Sequence, residues 1–149
     1  VSREALAGSV DSLDELFGFD AICAFLTEDE RPFGGALGAV DWRLCGALSR
    51  VVRSGFFTAA PSERLLVPSD GRVPVGQLFV VGLGRSGALT PVGLEHQLEG
   101  AARMLTLARV ESVALAFPTL APALAGLTDD LLDRAFSPAF AGRVGVFVP

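Results

Sequence analysis

Apolar positions along the chain follow two rhythms. Short uninterrupted apolar runs recur between turn residues: Asp20 to Leu26 (DAICAFL), Leu78 to Val81, Ser112 to Phe117 (SVALAF) and Val144 to Val148. Their length and β-branched content predict strands buried on both faces. Phe56 to Thr58 and Arg64 to Val67 read as shorter strands. Arg3 to Ala7 is either a first edge strand or a frayed end. Ser12 to Phe17 is a connector, and Glu28 to Arg31 and Pro68 to Pro74 are turns, the first of them charged and solvated.

Between these runs the period lengthens. Val40, Leu44, Ala47, Leu48 and Val51 share one helical stripe, predicting a helix from about Val40 to Ser54 with Asp41 in its first turn, Arg53 in its last and Gly55 as its stop. Trp42, Cys45 and Val52 form a second, narrower strip on that helix. It either widens the core face or meets another protein. A longer helix is predicted from about Pro91 to Arg109, with Leu94, Leu98, Ala101, Ala102, Leu105 and Ala108 buried and Glu99 paired with Arg103 on the other side. Thr128 caps a short helix that has Asp129 and Asp130 in its first turn and ends at Phe136 and Pro138. Strands alternating with helices define an α/β domain.

The most informative stretch is QLFVVGLGRSGALTP, Gln77 to Pro91. The strand leads into Gly82, Gly84 and Gly87 at G-x-G-x-x-G spacing, and Thr90-Pro91 then reads as an N-cap with proline at the first helical position. Backbone amides and a helix N-terminus there would form a cradle for an anion. A dinucleotide site also needs the helix to open at the glycines and an acidic residue at the end of the next strand. Here the helix opens later, and Ser112 to Phe117 runs into Pro118-Thr119. The alternative is a tight strand-to-helix turn. Gly34, Gly35 and Gly38 make a second glycine loop before the first helix. In an open sheet both loops leave the carboxyl ends of strands, where Arg85 is placed to hold a phosphate or carboxylate.

Composition narrows the function. With 149 residues and 50% hydrophobic content the chain can bury a proper core, which excludes disorder. Its twelve basic residues are all arginine, there is no lysine, and the net charge is −5, so nucleic acid is not an expected partner. The longest uncharged stretch, Ser112 to Thr128, is interrupted by Pro118 and Pro122, and no membrane span or signal peptide is expected. Because the first residue is Val, the true start is expected upstream. Cys23 and Cys45 lack the spacing of a redox or zinc motif and read as buried free thiols of a cytoplasmic protein. The lone histidine, His96, falls off its helix's apolar stripe. Ser86 in G-R-S-G is one residue short of a nucleophile elbow. The acidic groups Glu28-Asp29-Glu30 and Asp129-Asp130-Asp133 show no metal-ligand pattern, and no metal or cofactor is expected.

Residues from about 14 to 117 resemble the N-terminal domain of the leucyl aminopeptidases, a dinuclear-metal peptidase family. The likeness rests on FDAICAF, VDWRLCGALSRVVRSGFF, RLLVP and LFVVGLG followed by an alanine-rich helix. It implies a three-layer α/β/α macro-like fold with a mixed central sheet, spanning the chain as one domain. Asp20-Ala21-Ile22, the Gly34 to Gly38 loop and SVALAFPTLA are similar to macro-domain segments as well. The asparagines that macro domains carry after the first strand are replaced here by Ala24, Phe25 and their neighbours, and their later phosphate loop by Leu120-Ala121-Pro122-Ala123. In the family the metal ligands and a catalytic lysine belong to a separate C-terminal domain, so no catalytic residue is carried over. The resemblance therefore implies a non-catalytic regulatory or assembly domain. Its partner is expected to be a second copy or a peptidase-like protein, with Trp42, Cys45 and Val52 at the contact. The alternatives are a module for ADP-ribose or another small anionic ligand, held by Gly34, Gly35, Gly82, Gly84, Arg85 and Gly87, or a fragment of an intact aminopeptidase.

Overall fold

The computed structural model describes residues 3–149. In these, six strands form one sheet in the order β1–β6–β5–β2–β4–β3: β1 Glu4–Leu6, β2 Ala21–Thr27, β3 Arg64–Pro68, β4 Gln77–Gly84, β5 Ser112–Ala116 and β6 Arg143–Phe147. Every neighbouring pair is parallel except β3 with β4, so the sheet is mixed. β2 lies at the centre, and all seven of its residues are buried. That explains its unbroken apolar run, since helices cover both faces of a parallel sheet.

Successive side chains of a strand point to opposite faces. Ile22, Ala24 and Leu26 join a core beneath α1 (Gly35–Arg43) and α2 (Ala47–Arg53), together with Leu13 and Leu16 of the connector. Ala21, Cys23 and Phe25 join the opposite core, beneath α3 (Pro91–Leu107) and the helical segment that begins at α5 (Thr128–Leu131) and continues as a π-turn over Leu132–Phe136. A short helix, α4 (Pro122–Ala125), precedes it. The stripe Leu94, Leu98, Ala101, Ala102 and Leu105 of α3 is fully buried. Each such leucine stabilises the fold by roughly 1.5–3 kcal/mol of transfer free energy.

Thr90 caps α3 as its sequence predicts, its hydroxyl accepting the Gly93 N–H at 3.0 Å. Other expectations are corrected. The helix expected from Val40 to Ser54 is two helices. α1 opens at Gly35, and the chain breaks at Cys45 and Gly46, whose φ values of 57° and 78° are left-handed. The buried Asp41 is not a first-turn acid. It lies within α1 and accepts the N–H groups of Leu48 (2.9 Å) and Ser49 (3.2 Å) together with the Ser49 hydroxyl, satisfying the start of α2. Phe56 to Thr58 is not a strand, because the Thr58 amide and hydroxyl are both taken by the Glu63 carboxylate, which folds the segment into a loop before β3. Ala108 lies beyond α3 and is exposed. Thr128 is no N-cap; its hydroxyl donates back to the Leu124 carbonyl.

Candidate functional site

The carboxyl ends of β4, β2 and β5 lie side by side, which in an open α/β sheet is where ligands settle. The turn Glu28-Asp29-Glu30, which leaves β2, fills this position. The Glu28 N–H donates to the Gly84 carbonyl at 2.9 Å. Asp29 accepts the Ser86 N–H at 2.8 Å and also the Ser86 hydroxyl. On the other side Glu30 accepts the Thr119 N–H at 2.9 Å. The turn is thus stitched to the loop after β4 and to the loop after β5. The bonds from Ser86 hold the Asp29 carboxyl below the usual carboxylate range, with a smaller contribution from the nearby Arg85 guanidinium. Arg31 ties the turn down by donating to the carbonyls of Thr27 (3.1 Å) and Glu30 (2.7 Å). The sequence reads these acids as merely solvated; the structure makes them a clasp. Only Asp29 followed by a distant serine in a glycine loop hints at it, and spacing along the chain cannot pair them.

The glycines predicted to cradle a ligand have different reasons to be there. At Gly82, inside β4, an added Cβ would lie 2.6 Å from the Ala59 carbonyl carbon, so the residue lets the loop before β3 cross the strand. Gly84 ends β4 at φ +80°, with Pro61 packed close against it. These two are demanded by packing and turning. Gly34 and Gly35 open α1, Gly35 at φ +56°, and together with Gly87 they face open space. Arg85 is exposed beside the clasp.

The outer surface of α1 carries a separate groove of about 920 Å³. Pro32, Phe33, Trp42, Cys45, Ser49 and Arg72 are among its walls. Trp42 is 70% exposed, and Arg72 donates to the Cys45 sulfur at 3.1 Å. Cys45 is exposed rather than buried, correcting the expectation of two buried thiols, because the left-handed break turns it out of the helix. Val52, expected beside it, packs half-buried against the core instead. Arg43 anchors one end of the groove, bonding the carbonyls of Arg72 and Val10 and the Asp14 carboxylate.

Cys23 is enclosed in the core, and burial pushes its thiol up to about 12. His96 is exposed on α3. Among the described residues no three or more His, Cys, Asp or Glu side chains gather as they would around a metal ion, and no helix is long and apolar enough to cross a membrane.

Layer order, sheet topology and the loops at the strand ends define a macro-like α/β/α domain. The macrodomain of Thermus aquaticus DarG superposes over 99% of both chains with a TM-score of 0.66 at 12% identity. A Trypanosoma brucei macrodomain in complex with ADP-ribose covers 96% of this chain and 62% of its own, with a TM-score of 0.58 at 18% identity. Residues 22–131 match the family model of the cytosol aminopeptidase family, N-terminal domain, and the chain belongs to that family. A mutant of tomato leucine aminopeptidase has the same fold, with a TM-score of 0.68 at 17% identity over 99% of this chain. The chain spans 32% of that enzyme's length. None of the curated proteins matches the sequence.

Proposed function

We propose that this chain is a regulatory or assembly domain that acts through protein contact and carries no peptidase chemistry of its own. The observation that supports this most is the clasp. Asp29 and Glu30 already occupy main-chain amides of both loops flanking the strand ends, and they place negative charge where an anionic ligand would have to sit. An open feature of the surface is the Trp42 groove, an aromatic side chain in a shallow, largely apolar trough, which suits a polypeptide partner. That partner is a second copy or a peptidase-like protein, and the two free thiols agree with a cytoplasmic setting.

A second reading, a module for ADP-ribose or another nucleotide, draws on the exposed Arg85 and on the open space around Gly34, Gly35 and Gly87. If the sequence is instead part of an intact metal-dependent aminopeptidase, the metal ligands must come from residues outside it. Light scattering over a concentration series, with native protein and Trp42→Ser, tests the contact reading. The native chain is expected to form species larger than a monomer, alone or with an added leucyl aminopeptidase, and the variant fewer of them. A native chain that stays monomeric and binds no such enzyme would contradict it.

A further inference from the structure

β3 forms one border of the sheet and has β4 as its sole sheet neighbour among the described residues. Its ladder fixes which main-chain groups are used. The Gly82 N–H donates to the Glu63 carbonyl at 2.7 Å, and the Ser69 N–H to the Gly76 carbonyl at 3.3 Å. In an antiparallel pair the bonded positions alternate. With Leu65 opposite Val80 and Val67 opposite Leu78, the odd-numbered residues of the strand face β4. Arg64 and Leu66 therefore turn both N–H and C=O to the open edge, and Pro68 turns only a carbonyl there. Leu66, at the midpoint, is 53% exposed. The Glu63 carboxylate is engaged by Thr58 and Ala60, so the border Arg64–Leu66–Pro68 carries no acid in a chain of net charge −5.

We propose that this edge pairs antiparallel with β3 of a second copy, about a two-fold axis at Leu66, so that one sheet runs through both molecules. The border is self-complementary in that register. Each Leu66 N–H meets the other copy's Leu66 carbonyl, and each Arg64 N–H meets the other copy's Pro68 carbonyl. The prolines, which cannot donate, fall at the two ends of the new ladder, where water satisfies the facing Arg64 carbonyl. The Leu66 side chains lie directly opposite each other, at the separation where cross-strand apolar pairs stabilise. An isologous contact of this kind closes at two molecules, because pairing consumes the free edge. It uses none of the groove residues around Trp42, so the two surfaces can be tested apart.

Sedimentation equilibrium of the full chain is the test, run up to about millimolar protein, on native protein, Leu66→Pro, Leu66→Val and Trp42→Ser. Proline at 66 deletes an outward N–H and leaves the β4 ladder intact. By symmetry two bonds are lost, and dimerisation is expected to weaken about thirtyfold. Leu66→Val is expected to retain the dimer, and Trp42→Ser to lose only association through the groove while keeping the pairing of β3 and its amide protection. Amide exchange at Arg64 and Leu66 supplies a readout that needs no variant, with protection of both rising with concentration. A chain monomeric throughout, or a dimer in which these two amides exchange as in the monomer, would overturn the proposal.

Discussion

Asp41 shows how much one side chain decides. Buried in α1, it serves the first amides of a different helix, α2. Replacing it with alanine leaves the buried Leu48 N–H without its acceptor. Asp41→Ala is expected to lower stability by about 2 kcal/mol, at the upper end for a lost cap. Urea unfolding reads this as a lower midpoint with an unchanged slope; an unchanged midpoint would mean that α2 starts without it. The same position marks a limit of reading periodicity. The apolar stripe Val40, Leu44 and Leu48 is buried as expected, but a left-handed pair at Cys45 and Gly46 breaks the helix without disturbing that stripe. Gly46 was the one local sign. A cysteine at positive φ is not something sequence patterns foretell.

At the scale of elements, strands and long helices were legible because burial on both faces and a 3.6-residue period leave strong signals. β2, β4, β5, β6 and α3 lie close to where those signals put them. The acidic turn was not legible, since its meaning comes from Ser86 and Thr119, loop residues brought to it by strand order. Its pH dependence follows from the direction of the Asp29 shift. A carboxyl held below its ordinary value, about 3.9 for a free aspartate, contributes stability that is complete above that value and is lost as pH falls through the lower, folded one. An NMR titration following the Ser86 amide is therefore expected to show its transition below the ordinary aspartate range. Asp29→Asn should abolish the transition. A midpoint at or above that range would show that the clasp does not favour the charged carboxylate.

For the whole molecule, the α/β/α layers and the family were within reach of the sequence, because LFVVGLG and the long helix after it keep the family's pattern. The topology that brings three strand ends together was not, nor was the helix break that exposes Cys45; the Trp42 strip was legible as core face or contact surface, and Trp42 is exposed. The clasp and the groove are what favour the proposed protein contact over the nucleotide reading. This chain's own carboxylates occupy the amides at the strand ends. Isothermal calorimetry of the native chain with ADP-ribose, carried to millimolar ligand, tests that claim most directly. The predicted result is no saturable heat. One-to-one binding that weakens by about one to three kcal/mol in Arg85→Ala, the scale of a charge-assisted hydrogen bond, would contradict it.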